Sequence, residues 1–247
     1  MARRLLKRVG VMTLTVFVAE VLYAILRPSP DMESFDPSAE FGDPTLPTLR
    51  VAVVGDSSVH APGVFGPGDI WISRVCIRLA ARGRHVVMKS FAVGGSKARD
   101  VIIGQLDDAI AFDPDIAFVS VGANDTLRGV SRGRFAAELD EIIGRMVETG
   151  AVVVQSGVGV MGTIPRLYPP LSTTMTLRSA RFDMIHREVA ARHGTHVIDQ
   201  RSDEPAMWYR DRSLWAADHF HVSRAGHARW ADTTWRTLEK ILDDGKV

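Results

Sequence analysis

The chain of 247 residues has little cysteine and no excess of charge of either sign. Its one cysteine, Cys76, can form neither an internal disulfide nor a thiolate metal cluster. Its 30 Lys and Arg residues nearly equal its 29 Asp and Glu residues, so nothing in the overall charge attracts nucleic acid. Five histidines show no pairing at metal-ligand spacing, namely His60, His85, His186, His193 and His196. We therefore expect no metal, no cofactor and no nucleic-acid partner.

The amino terminus combines basic residues with an apolar run. Residues 9–26 would span roughly 27 Å as a helix, about the thickness of a bilayer core. We predict that residues 1–27 form an N-terminal membrane anchor that leaves the rest of the chain extracytoplasmic. There are two alternatives: a cleaved signal peptide followed by secretion, and a soluble helix packed on the domain. Glu20 lies inside the apolar run and argues against a membrane span, because a carboxylate is costly in lipid. The basic residues before the run are Arg3, Arg4, Lys7 and Arg8.

Residues 28–48 have a different composition. Prolines interrupt any helix in this segment, and acidic residues keep it solvated. We predict a linker over residues 28–48 that joins the N-terminal helix to a domain at residues 49–247. The prolines are Pro28, Pro30, Pro37, Pro44 and Pro47, and the acidic residues are Asp31, Glu33, Asp36, Glu40 and Asp43.

Strand-like and helix-like segments alternate through residues 49–247. This alternation predicts a parallel sheet covered by helices on both faces. We expect an α/β fold with three layers and a five-stranded parallel sheet. The predicted strands are 49–54, 85–93, 116–121, 151–155 and 195–199, and the predicted helices are 69–82, 97–111, 131–148, 177–192 and 224–242.

Three predicted strands end in short polar or glycine-rich turns. They are Gly55-Asp56-Ser57, Gly94-Gly95 and Gly122-Ala123-Asn124-Asp125, and a further polar segment, Asp218-His219-Phe220-His221, precedes the last helix. Because the carboxyl ends of parallel strands meet at one edge of the sheet, these turns can converge. Acyl transfer needs a nucleophile, a base, a group that orients the base, and oxyanion donors. The chain offers a candidate for each.

The order Gly-Asp-Ser, Gly, Gly-x-Asn-Asp and Asp-x-x-His resembles the SGNH hydrolases, also called GDSL esterases and lipases, over roughly residues 49–238. The resemblance implies a flavodoxin-like α/β/α sandwich. One departure is Ser90, where many members have Asn. The implied roles are Ser57 as nucleophile, His221 as general base, Asp218 as the orienting carboxylate, and an oxyanion hole formed by the backbone N–H groups of Ser57 and Gly95 and the side chain of Asn124.

The segment 157–171 follows the fourth predicted strand at the edge where the site should lie. It is long, apolar and interrupted by Gly and Pro, and long loops at this edge often bind substrate. We expect it to line a pocket for an acyl group or a hydrophobic alcohol, with packing on the domain or on the N-terminal helix as the alternative. The candidate pocket residues are Met161, Ile164, Leu167, Tyr168 and Leu171.

The resemblance implies a serine esterase that hydrolyses carboxylic esters, with an acyl lipid or an acylated sugar as substrate. A thioesterase or acyltransferase that uses the same Ser57 acyl-enzyme is the alternative within enzymes. A non-catalytic binding protein on the same fold is the alternative outside them.

Overall fold

The computed structural model describes the backbone of residues 2–202 and 205–244, and the side chains of residues 12–202 and 206–244. Short 3₁₀ turns are found at Pro67–Asp69, Met161–Thr163 and Arg212–Leu214. The strands are β1 (Ala39–Phe41), β2 (Thr48–Gly55), β3 (His85–Ser90), β4 (Ile116–Ser120), β5 (Val152–Ser156) and β6 (His196–Ile198). The helices are α1 (Ala2–Leu26), α2 (Ser57–His60), α3 (Trp71–Ala80), α4 (Ala98–Gly104), α5 (Leu106–Ala111), α6 (Ala123–Leu127), α7 (Arg132–Val147), α8 (Leu171–His193), α9 (Pro205–Arg210) and α10 (Arg224–Asp243).

The α/β architecture predicted from the sequence is confirmed, with one correction to the sheet. The six strands lie in the order β1-β3-β2-β4-β5-β6, and the five strands from β2 onward pair in parallel. If these five parallel strands are numbered 1 to 5 along the chain, they lie in the sheet in the order 2-1-3-4-5, which is the flavodoxin-like order.

The five predicted strands are parallel, but the sheet has a sixth strand that was not predicted: β1 pairs antiparallel with β3 and makes the sheet mixed. This strand lies within the predicted linker 28–48. Its three residues are too few to produce an alternating pattern among prolines and acidic residues, so no strand could be predicted there. The free edge of β3 stabilises it, with Glu40 opposite Val87 and the Glu40 carboxylate 3.0 Å from Nε2 of His85.

The central strands are buried on both faces, which explains their continuous apolar runs. In β2, Ala52 and Val54 belong to the core under α4, α7 and α8, whereas Val51 and Val53 belong to the core under α3 and α10. The carboxyl ends of β2, β3 and β4 therefore lie at one edge of the sheet, between the helices that cover its two faces.

The C-terminal half of α1 packs on the domain by one face. Phe17, Val21 and Ala24 contact the core at helical spacing, and the Glu20 carboxylate on the same face accepts the N–H of Tyr168 at 2.7 Å. Within the described part of the chain, no helix is both long enough and apolar enough to cross a membrane. The predicted anchor is therefore not supported; the side chains at the start of its apolar run, residues 9–11, lie outside the described ones.

Candidate active site

Ser57 is the first residue of α2, immediately after β2. Asp56 caps this short helix, with its Oδ1 accepting the N–H of Ser58 at 2.9 Å and its Oδ2 accepting the Nδ2–H of Asn124 at 3.1 Å. Burial raises the pKa of Asp56, and these hydrogen bonds oppose the shift. Asp56 thus holds in place both the backbone turn that contains Ser57 and the side chain of Asn124.

The turn from Asp218 to His221 is closed by the Asp218 carboxylate. Oδ1 accepts the backbone N–H groups of Phe220 at 2.9 Å and His221 at 3.0 Å, while Oδ2 lies 2.7 Å from Nδ1 of His221. Burial opposes ionisation of Asp218, but the hydrogen bonds from His221 and from the two backbone N–H groups lower its pKa below the ordinary value. Asp218 is therefore a buried anion that faces an imidazole.

His221 lies between Asp218 and Ser57. Because a carboxylate can only accept, Nδ1 of His221 carries a proton, and Nε2 of the neutral ring is left as an acceptor. That Nε2 is 3.2 Å from Oγ of Ser57. The structure thus brings together a hydroxyl, an imidazole and a carboxylate from residues 57, 221 and 218, as the nucleophilic arrangement requires.

Gly95 lies in the turn after β3, and Asn124 is the second residue of α6, which follows β4. Gly95 has φ +81°, a conformation that glycine adopts without strain. One N–H of the Asn124 amide is used by Asp56, which leaves its second N–H for a ligand. Asn124 lines the same cavity as Ser57, whereas Gly95 is not among the residues that line it.

Two buried side chains join these turns to each other. Gln105, between α4 and α5, accepts the N–H of Gly55 at 2.8 Å and donates to Gly55 O and to Ser96 Oγ, each at 3.0 Å. The carboxylate of Asp125 accepts the N–H of Ala98 at 3.1 Å, and burial raises the pKa of Asp125 to about 6. The predicted single helix 97–111 is broken at Gln105, and the polar residue at the break was the overlooked signal.

A cavity of about 1170 Å³, its open mouth included, opens beside Ser57, Asn124 and His221. One wall is aliphatic and continues the core under α7 and α8, and the other is aromatic and continues the core under α3 and α10. The aliphatic wall contains Leu127, Val158, Met161 and Ile164; the aromatic wall contains Trp71, Trp208, Trp215 and Trp230.

The candidate pocket residues fall into two groups. Met161 and Ile164 line the cavity, whereas Leu167 and Leu171 are buried in the core and Tyr168 is half exposed against the ring of Tyr23. The segment thus lines the pocket with its first part and packs on α1 with its second.

The aromatic wall also contains a histidine that the sequence did not single out. His227 is buried, with Trp71 N–H donating to its Nδ1 at 3.4 Å, and burial lowers its pKa to about 3. It is therefore a neutral residue at neutral pH. Among the described side chains, those of residues 12–202 and 206–244, no group of three His, Cys, Asp or Glu is arranged to bind a metal.

A sequence model described as "GDSL-like Lipase/Acylhydrolase family" matches residues 53–229, which is most of the chain. This chain belongs to that family. GDSL-like esterase Rv1075c of Mycobacterium tuberculosis is 26% identical over 204 residues, which cover 79% of this chain and 63% of that protein. The chain thus spans just under two thirds of the length of this relative.

Solved structures of other proteins have the same fold. TesA superposes with a TM-score of 0.66 at 22% identity, covering 78% of this chain and 99% of TesA. Axe2, an acetylxylan esterase from Geobacillus stearothermophilus, superposes with a TM-score of 0.63 at 20% identity, covering 77% of this chain and 94% of Axe2.

Proposed function

We propose that this GDSL-family chain is a serine esterase that hydrolyses carboxylic esters through an acyl-enzyme on Ser57. The observation that carries the proposal is the position of His221, with Nε2 3.2 Å from Ser57 Oγ and Nδ1 2.7 Å from Asp218 Oδ2. Family membership supports it, as does the Asn124 side chain, which lines the same cavity as Ser57 and His221.

The reaction has two halves. Nε2 of His221 takes the hydroxyl proton as Oγ of Ser57 attacks the acyl carbon, and the N–H groups of Ser57, Gly95 and Asn124 stabilise the oxyanion. The imidazolium, stabilised by Asp218, then protonates the leaving alcohol as the ester C–O bond breaks. Water attacks the acyl-enzyme, giving its proton to His221, which returns a proton to Ser57 as the carboxylic acid leaves.

The two walls of the cavity suggest how an ester would lie. The carbonyl oxygen must face Asn124, which shares α6 with Leu127 of the aliphatic wall. The leaving alcohol must lie near His221, whose neighbour Val222 pairs with Trp215 of the aromatic wall. We therefore assign the acyl group to the aliphatic wall and the alcohol to the aromatic wall.

An active-site titration with an alkyl fluorophosphonate tests the activity on the full chain. We expect one adduct on Ser57, located by mass spectrometry, with no adduct in His221→Ala, and turnover of p-nitrophenyl esters. Turnover should fall below neutral pH, because a protonated imidazole cannot accept the Ser57 proton. A folded sample that forms no adduct and turns over no ester would exclude the esterase proposal and favour a binding protein.

Chain-length profiles test the assignment of the walls. Ile164→Trp should shorten the preferred acyl chain without changing the preferred alcohol. Trp230→Ala should change the preference among alcohols without changing the preferred acyl chain. The reverse pattern would exchange the two assignments.

A further inference from the structure

Arg166, in the segment before α8, is buried without an anionic partner. Its side chain is only 6% exposed, and among the described residues no carboxylate lies within ion-pair distance of it. Burying a guanidinium is costly unless its N–H groups are satisfied. Its N–H groups must therefore be satisfied by neutral acceptors.

The partners of Arg166 belong to two distant parts of the chain. Nε donates to Ala24 O at 2.7 Å, Nη2 donates to Arg27 O, and Nη1 donates to Ser29 Oγ at 2.8 Å. The carbonyls at the end of α1 carry the negative end of the helix dipole, which stabilises a cation there. The end of α1 thus takes the place of a carboxylate.

The other partners of Arg166 are in the His–Asp turn. Nη1 also donates to Asp218 O at 3.2 Å, and the backbone N–H of Arg166 donates to His219 O at 3.0 Å. His219 is exposed and has φ +60°, a conformation uncommon for a residue with a side chain. Contacts from outside the turn therefore help to keep its backbone in place.

We propose that Arg166 is a positioning residue through which the docked end of α1 fixes the Asp218–His221 turn. The proposal rests on the esterase mechanism above, because it concerns the base of that reaction. When α1 undocks, Arg166 loses three of its acceptors, and Asp218 moves relative to the His221 ring. Acylation of Ser57 then slows, although every group of the proposed triad remains present.

Substitution of Arg166 tests the proposal directly. We expect Arg166→Met to lower kcat by about ten- to a hundredfold, the range for misplacement of roughly 1 Å, with KM within about twofold of the wild-type value. The acidic limb of the pH profile should move to lower pH, because a displaced Asp218 stabilises the imidazolium less. Arg166→Lys should have an intermediate effect, since one ammonium cannot reach all four acceptors.

Arg50 provides a matched control. It also donates to a backbone carbonyl, that of Phe112, but it lies near the start of β2, at the edge of the sheet opposite the site. Arg50→Met should lose stability and keep the wild-type kcat and acidic limb. Folded Arg166→Met enzyme with wild-type kcat and pH profile would overturn the proposal.

Substitutions in α1 keep the proposal testable if Arg166→Met does not fold. Val21 is half buried against the domain, whereas its neighbour Leu22 is 50% exposed. Val21→Asp should reproduce the loss of kcat and the shifted acidic limb, and Leu22→Asp should behave as wild type. The proposal would be overturned if Val21→Asp and Leu22→Asp had the same kcat and the same acidic limb. A fluorophosphonate adduct on Ser57 of the wild-type protein, measured in the same experiment, separates failure of this proposal from failure of the esterase proposal.

Discussion

The proposed oxyanion side of Ser57 and the His221 side are supported by different parts of the chain. On the oxyanion side, the buried residues Gln105 and Asp125 join the turns through hydrogen bonds within the sheet domain. On the His221 side, Arg166 joins the turn to α1, which lies outside the sheet. A defect in the domain core should therefore affect the oxyanion side, while undocking of α1 should affect the base.

The largest expected effect is on the His221 side. Asp218→Asn should lower kcat by about 10⁴-fold, because an amide can present an N–H to Nδ1 and favour the wrong tautomer of His221. Asp211→Asn is the matched control, because Asp211 also closes a turn, accepting Ser213 N–H at 3.0 Å, but is exposed and has no contact with His221. Steady-state kinetics with p-nitrophenyl esters would measure both. A kcat for Asp218→Asn close to that of Asp211→Asn would contradict the orienting role.

On the oxyanion side we expect a smaller loss. Asn124→Ala should lower kcat by about 10²- to 10³-fold with little change in KM, since the lost N–H acts on charge that develops in the transition state. The acidic limb of the pH profile should stay in place, because His221 and Asp218 are untouched. A shifted limb in Asn124→Ala would mean that the two sides are coupled rather than separately supported.

The support of the oxyanion side can be tested by two buried glutamines. Gln105→Leu removes the bonds to Gly55 and Ser96, whereas Gln155→Leu removes a buried bond to His186 and a partly buried one to Thr195. Each should cost about 1–3 kcal/mol in the free energy of unfolding, measured in urea. Only Gln105→Leu should also lower kcat, by roughly tenfold. Equal kcat values in the two variants would show that Gln105 stabilises the fold without positioning the turns.

The turns around Ser57 were predictable because their bonds are local. Asp56 bonds a residue two positions away, and Asp218 bonds residues two and three positions away, so each short motif contains the bonds that shape its own turn. The buried runs of the central strands likewise predicted the parallel part of the sheet. Chemistry that is encoded within a few residues can be recognised without a structure.

The support of these turns could not be predicted, because its bonds join distant residues. Arg166 and Ala24 are 142 positions apart, Tyr168 and Glu20 are 148 apart, and Gln105 and Gly55 are 50 apart. Nothing in the local sequence distinguishes Arg166 from a solvated arginine in an apolar loop. The same limit applies to the docked face of α1, because the partner of Glu20, Tyr168, lies 148 positions away while the local apolar run favours a membrane span.

Each side of the site also packs against a buried neutral histidine, and these two residues give the smallest predicted effect. His186 donates to Val121 O below the Asn124 turn, and His227 lies in the aromatic wall beside His221. Burial lowers the pKa of His186 to about 4 and that of His227 to about 3, from an ordinary value of 6.5. Between pH 6.5 and these values the unfolded chain binds protons that the folded chain does not. Stability is therefore complete above pH 6.5 and is lost as the pH falls, by about 1.4 kcal/mol per pH unit for each ring.

Asp125 acts in the opposite direction, because its raised pKa of about 6 makes the folded chain bind a proton more readily between about pH 6 and 4. Asp56 and Asp183, whose pKa values burial also raises, act in the same direction as Asp125. The free energy of unfolding, measured in urea, should therefore fall between pH 7 and pH 5 by less than the two histidine rings alone would give. His186→Gln and His227→Gln should each lower by about one the number of protons that the chain takes up on unfolding in this pH range. If only His186→Gln weakens the dependence of the free energy of unfolding on pH, then His227 is hydrated in the folded chain at acid pH. The aromatic wall would then admit water, and the oxyanion side would exclude it.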